Sequence, residues 1–214
     1  MKERIHRALP VRQERSRETR DRLLDAVEIV WTRDGMDGAT VPAIADEAGV
    51  AVGSVYRRFP DKDALLRGTY ERFFERASAN NAAQLAPALW AGKTPAEIIA
   101  MAIDGMVRGH RLKRALLKAL IHYGECHDDP AFRRKALALR TTTMAQLTEL
   151  LLRHARDFGH PEPRAAVELV LTVVRLTLQG LLHDVRGGKL DDDALPTELA
   201  RVVCAYLGVR VRTQ

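Results

Sequence analysis

The chain has 214 residues, 46% of them hydrophobic and 29% charged, and only two cysteines, Cys126 and Cys204. That length buries a core without cross-links in one or two domains, and two distant cysteines exclude a disulfide scaffold and fit a reducing compartment. The formal charge is +6, yet residues 1–80 carry 15 Lys and Arg against 14 Asp and Glu, so position says more than total. Lys2, Arg4, Arg7, Arg12, Arg15, Arg17, Arg20 and Arg22 crowd the first 22 residues against four acids. Such a run is either a solvated tail or an arm for phosphates. No apolar leader opens the chain. The longest apolar stretch, 169–182, is broken by Arg175 and Gln179 and reads as too short to span a bilayer. A cytoplasmic protein without a membrane partner is expected.

In chain order, residues 1–15 read as a flexible basic arm. A first helix over 16–33 places Leu23, Val27, Val30 and Trp31 on one face, and Asp34-Gly35 ends it. Thr40 caps a short helix to about residue 48, with Pro42 tolerated in its first turn. Gly49 breaks the chain, and a second short helix covers 52–59. Pro60 stops it and Asp61 caps a long helix over 62–81. Five more helices follow, over 94–109, 111–125, 130–158 and 163–185, then one ending near 207. The last follows Gly187-Gly188 and the acidic run 191–193. Alternating β-branched runs are absent. The fold class is therefore all-α with about nine helices. Three N-terminal helices occupy 16–62, a connecting helix 62–81, and a larger helical domain 82–214.

The informative stretch is TVPAIADEAGVAVGSVYRRF, residues 40–59. Two short helices at a steep angle need a small residue where they approach and a turn residue that accepts positive φ. Ala45 and Gly49, four apart, supply these. Val41, Ile44, Val50, Val55 and Phe59 are apolar contacts, which leaves Val52, Gly53, Ser54, Tyr56 and Arg57 pointing outward. That face is small at Gly53 and hydrogen-bonding at Ser54, Tyr56 and Arg57, the character of a surface that fits a DNA major groove.

From residue 19 through residue 65 the chain resembles the TetR family of bacterial regulators. The resemblance rests on G-x-x-x-x-T-V at 35–41, I-A-x-x-A-G-V at 44–50 and G-S-V-Y-x-x-F-x-x-K at 53–62. Trp31 stands where the family usually has Phe, Ala51 where a Ser commonly caps the second helix, and Pro42 is unusual at its position. The resemblance implies an N-terminal helix-turn-helix that binds double-stranded operator DNA and a C-terminal domain that dimerises and binds a ligand. It implies phosphate contacts from Thr40, Tyr56 and Lys62. It implies base or nearby phosphate contacts from Val52, Gly53, Ser54 and Arg57, with Arg57 able to read guanine bidentately. Arg20 joins these from the basic run, and Arg58 reads as a backbone contact or a surface salt bridge.

A homodimer matches a palindromic operator. Its expected interface is on the last two long helices, at Leu169, Val173, Leu176, Gly180, Val202 and Tyr206, with Leu181 and Ala205 in the same stripes. Candidates to line an effector pocket are Trp90, Met101, Met106, His110, Tyr123, Phe132 and Gln179, which suit a largely apolar small molecule. His122 and Cys126, four apart on one helix face, are weak metal candidates without a second pair to complete a site, so neither metal nor cofactor is expected. G-x-S-x-G, H-E-x-x-H, phosphate-loop and G-x-G-x-x-G patterns are absent, which argues against an enzyme. The sequence reads as a ligand-responsive transcriptional regulator, a repressor released by its effector, with the 62–81 helix tilting against the 94–125 helices. The alternative is an effector-free or sequence-tolerant DNA-binding or architectural protein.

Overall fold

The computed structural model describes residues 3–182 and 193–209. Lys2, the end of the expected 163–185 helix, the Gly187-Gly188 turn and Asp191 and Asp192 lie outside the described residues. Among those described the fold is helical throughout: α1 (Glu3–Gly38), α2 (Val41–Glu47), α3 (Val52–Tyr56), α4 (Lys62–Gln84), α5 (Pro95–Leu112), α6 (Arg114–Cys126), α7 (Pro130–Leu152), α8 (Pro163–Leu182) and α9 (Leu195–Leu207). Short 3-10 turns at Pro87–Trp90 and Ala155–Asp157 join α4 to α5 and α7 to α8.

The start signals act as the sequence suggests. Thr94 and Glu97 form a capping box at α5, and the Thr94 side chain accepts from the Glu97 amide at 3.3 Å. Asp129 accepts from the Ala131 amide at 2.8 Å, with Pro130 opening α7. Two expectations need correction. The backbone of residues 3–15 continues α1, so the basic run begins as helix and not as a separate arm. The expected 130–158 helix ends at Leu152, and the 3-10 turn Ala155–Asp157 then delivers Phe158 to the core. α1 leaves helical geometry at Gly35, where φ is +71°.

The buried side chains form two cores, and their division does not fall at residue 82. The first joins α1, α2, α3 and α4 to α6 and the start of α7. Trp31, Ile44, Phe59 and Tyr70 meet Leu120, Tyr123 and Phe132 there. The second joins α5, the rest of α7, α8 and α9, through Ile98, Ile103, Leu151, Val174, Leu178 and Val203. Each such aliphatic or aromatic side chain taken from water contributes about 1.5–3 kcal/mol, so the three N-terminal helices are strongly bound to α4, α6 and α7. Gly124 on α6 makes room for the Tyr70 ring of α4, since a Cβ there would lie 2.7 Å from it.

By length and composition α8, with a mean hydropathy of 1.7, is long enough to cross a membrane, since it begins six residues before the apolar stretch 169–182. Eight of its side chains pack into the protein, most of them in the second core, as in a core helix of a folded domain.

Candidate nucleic-acid interface

Local chemistry sets the helix-turn-helix. Thr40 Oγ1 accepts from the Ala43 amide at 3.3 Å and fixes the start of α2, with Pro42 in its first turn. Gly49 takes φ +62° to make the turn, and the Val50 amide donates to the Ala45 carbonyl at 2.9 Å. The Arg22 guanidinium, from α1, donates to the carbonyls of Ala48 and Gly49 and so holds the turn from behind. α3 starts without a side-chain cap at Ala51 and spans five residues instead of the expected 52–59. Arg58 compensates by donating to the Ser54 carbonyl at 3.0 Å and the Ser16 carbonyl at 3.5 Å, which anchors α3 to α1. Its hydrogen bonds are thus to the protein's own main chain.

Val55 and Phe59 are buried beneath α3, while Val52, Gly53, Tyr56 and Arg57 face solvent and Ser54 is half-buried. Arg57 Nη2 donates to Ser54 Oγ at 2.7 Å, which holds the guanidinium over the helix face. A Cβ on Gly53 would meet nothing within 4 Å, so the protein's own packing does not demand glycine there. Thr40 and Lys62 are exposed at the starts of α2 and α4, and the Arg20 guanidinium lies 5.5 Å from the Phe59 ring centre. Of the predicted contact residues, Val52, Gly53, Tyr56 and Arg57 are thus exposed on α3 and its C-terminal end, and Thr40 and Lys62 at the starts of α2 and α4.

Behind this surface a polar network joins the first turn of α4 to the α6–α7 turn. Asp63 Oδ1 accepts from Tyr123 OH at 2.6 Å and from His127 Nε2 at 2.9 Å, and Asp63 Oδ2 accepts from Arg67 Nε at 2.6 Å. Arg67 Nη1 reaches Asp129 Oδ2 at 2.8 Å. The Asp129 amide donates to His127 Nδ1 at 3.0 Å, so Nε2 carries the ring hydrogen and donates to Asp63. Burial acts to raise the Asp63 carboxyl, but hydrogen bonds from Tyr123, His127 and Arg67 outweigh it and hold the group down at about 2. Burial, with the Asp63 contact second, pushes the Tyr123 hydroxyl well above its ordinary range.

The expected interface residues Leu169, Val173, Leu176, Val202 and Tyr206 are between 42% and 57% exposed, apolar side chains that the single chain leaves uncovered on α8 and α9. Gly180 is half-buried, Ala205 is exposed, and Leu181 instead belongs to the second core. Of the expected pocket residues, Tyr123 borders a groove beside the Asp63 network, and the seven are divided between the two cores and the surface. Tyr123 and Phe132 are buried in the first core, Trp90 and Met106 pack on the second, and Met101 is exposed. His110 is half-buried against the Met106 carbonyl at 2.9 Å, and burial lowers its pKa. Gln179 donates to Glu125 at 3.5 Å. Two hollows among the described residues are open grooves. One of about 600 Å³ lies between α1 and the α5–α6 turn, bordered by Arg111, Lys113, Arg114 and Lys118. One of about 640 Å³ runs beside the Asp63 network. Cys126 Sγ lies 3.6 Å from His122 Nδ1, and among the described residues no group of three metal-ligating side chains forms there or elsewhere. The far end of α4 packs mainly on α7, through Ser78 and Gln146 at 3.4 Å, where the lever expectation places it on the 94–125 helices.

Residues 23–69 match the family model of bacterial regulatory proteins of the tetR family. Residues 94–207 match the tetracyclin repressor-like C-terminal domain. The chain belongs to the TetR family. This TetR-family chain is 34% identical over 107 residues to the HTH-type transcriptional repressor KstR of Mycolicibacterium smegmatis, which is 50% of each chain. It is 42% identical over 66 residues to KstR of Mycobacterium tuberculosis, covering 31% of this chain and 30% of that one. The chain thus spans about half or less of the length of the curated relatives it matches. Solved structures share the fold. A putative TetR-family regulator from Mesorhizobium loti superposes with a TM-score of 0.70 at 15% identity, over 91% of this chain and 97% of that one. The fatty acid degradation regulator FadR from Bacillus halodurans does so with a TM-score of 0.67 at 19% identity, over 90% and 97%. Proteins of the TetR family are DNA-binding transcriptional regulators and generally not enzymes. Sequence reasoning on this regulator missed the roles of Asp63, Arg67 and His127. Only the i,i+4 spacing of Asp63 and Arg67 signalled a pairing, and nothing local foretold the partners from α6.

Proposed function

We propose that the protein is a cytoplasmic repressor that binds a palindromic operator as a homodimer and is released by a small, largely apolar effector. The observation that supports this reading is the exposure of Thr40, Val52, Gly53, Tyr56, Arg57 and Lys62 on and around the helix-turn-helix, together with exposed apolar residues on α8 and α9. Thr40, Tyr56, Lys62 and Arg20 grip phosphates, and Arg57 reads a base edge. Two protomers joined along α8 and α9 form a four-helix seam and present two reading helices to successive major grooves. Repression is supported by the KstR relatives, and an apolar effector suits a neighbour whose name concerns fatty acid degradation. The test is selection of duplexes from random DNA by the purified protein. Enrichment of a palindrome, bound more tightly than random sequence by about 10³-fold or more at physiological salt, supports the reading. Recovery of no palindrome refutes it.

One observation favours the effector-free alternative: the expected pocket residues are divided between two cores. A thermal-shift screen of apolar compounds separates the two. A genuine effector binds more weakly when operator is saturating, by the same factor by which it weakens the operator complex.

A further inference from the structure

We propose that Asp63 is a positioning residue for DNA reading, which locks the first turn of α4 to the α6–α7 turn and so sets the angle at which the recognition helix is held. This rests on the dimeric operator-binding reading. Asp63 lies four residues beyond Phe59, the last buried residue of the helix-turn-helix, and only Pro60, Asp61 and Lys62 intervene. Asp61 caps α4 through the Ala64 amide at 2.7 Å, so the reading head and the start of α4 move together. One carboxylate then gathers donors from three elements: Arg67 of α4, Tyr123 of α6 and His127 of the α6–α7 turn. The turn is itself fixed. Arg133 donates to the carbonyls of His127 at 2.5 Å and Asp128 at 3.1 Å, and Asp129 both caps α7 and holds Arg67, whose guanidinium lies 5.0 Å from the Phe132 ring centre.

The apolar core beneath, with Trp31, Tyr70, Tyr123 and Phe132, supplies cohesion and a coarse orientation. Close packing resists large movements of α4, and the hydrogen bonds add a sharper angular limit, since they are lost once donor and acceptor part beyond about 3.5 Å or tilt strongly. Angle matters because the two reading helices must sit one DNA turn apart, about 34–36 Å. α4 is a lever of about 34 Å, so a tilt of roughly 5° about its far end displaces the head by roughly 3 Å, close to one base-pair step. The network borders the 640 Å³ groove that includes Met36, His122 and Cys126, so solvent reaches its edge and it can open without unfolding the core.

The experiment uses the full-length protein and palindromes it selects from random DNA, remade with one base pair inserted or removed between half-sites, plus a single half-site duplex. Asp63→Ala and His127→Leu are expected to bind the half-site within about twofold of wild type, while preference for the selected spacing falls about tenfold. His127→Gln, whose amide can donate to Asp63 in place of Nε2, is expected to keep the wild-type spacing profile. If Asp63→Ala does not melt cooperatively, His127→Leu decides. Wild-type spacing preference in the variants overturns the proposal. So does a half-site affinity that falls as far as the whole-operator affinity, which would mark support of the head's fold alone. A wild-type protein that binds half-site and palindrome alike overturns the dimeric reading, and the proposal with it.

Discussion

Leu176 stands 54% exposed on α8, among the uncovered apolar side chains of α8 and α9. Fully burying a leucine is worth about 1.5–3 kcal/mol, so covering its exposed half contributes about 1 kcal/mol per protomer. Counted on both sides of a two-fold axis this is about 2 kcal/mol, or about thirtyfold in the dimer dissociation constant. Leu176→Glu removes that contribution and also brings like charges together in a drying seam, which adds to the loss. Because the side chain stands clear of the second core, the substitution is expected to change protomer stability by no more than about 0.5 kcal/mol. Sedimentation equilibrium across a concentration series gives the dissociation constant, and titration of a selected palindrome gives the consequence for DNA. The expected result is dimer dissociation raised at least about thirtyfold, with palindrome affinity lowered and half-site affinity kept. A variant that melts like wild type and dimerises with an unchanged constant removes this face of α8 from the interface and refutes the reasoning.

Gly180→Leu probes the same face differently. A Cβ there meets nothing within 4 Å in the protomer, and leaving glycine in a helix interior gains up to about 1 kcal/mol. The melting temperature should hold or rise at low protein concentration while association weakens, and a fall in protomer stability would contradict the placement. Arg57→Ala should cost about 1–3 kcal/mol on the selected palindrome and relax preference at one base position. Lys62→Ala should weaken all sequences alike and lower the salt slope by about one. A titration panel with both variants at wild-type affinity would remove α3 and the start of α4 from the interface. Asp63 gives a pH prediction with a definite sign. Its carboxyl is depressed from 3.8 to about 2 on folding, so its contribution is complete above the unfolded value and is lost as pH falls through the folded one. Calorimetry should show the wild type melting above Asp63→Asn by a margin that is widest above about pH 4 and closes near about pH 2. A margin independent of pH would mean that the carboxylate charge plays no part.

The helix-turn-helix was legible because its determinants are local. A cap at Thr40, a positive-φ turn at Gly49 and a stop at Pro60 each act within a few residues, so spacing alone predicts them. The exposed positions on α8 and α9 were legible for a related reason, since apolar residues in excess of one buried stripe need a second surface. Depth within the bundle was not legible. Leu181 and Leu176 share the helix and the residue type, yet one is core and the other exposed, because the direction of α9 and α5 decides it. Tyr123 and Phe132 resembled pocket linings for the same reason. Their chemistry suits a cavity wall, and only the meeting of α4 with α6 and α7 shows that they fill the first core. The unpaired Trp31 indole nitrogen, buried in that core, marks where the chain departs from the family's usual Phe.

The two cores change how sensing must work if an effector binds. The reading head shares the first core with α6 and the start of α7, so a force on α4 alone would have to break apolar packing worth many kcal/mol. A coupling of about 1–3 kcal/mol, the usual size between sites, is too small for that. It is large enough to shift one core against the other. α7 is built into both, with Phe132 and Ala136 in the first and Leu147, Leu150 and Leu151 in the second. Between those segments Thr141 and Thr142 turn their hydroxyls back onto the Leu137 and Ala138 carbonyls at 2.9–3.1 Å, bonds that compete with the helix ladder and favour bending. Across the same boundary Glu125 accepts from Arg140 of α7 at 2.8 Å and from Gln179 of α8 at 3.5 Å. A ligand that prefers one arrangement of the cores therefore needs only to exchange a few polar contacts and bend one helix to move the whole reading head. The Asp63 network is what would make that body rigid enough for the movement to reach the DNA.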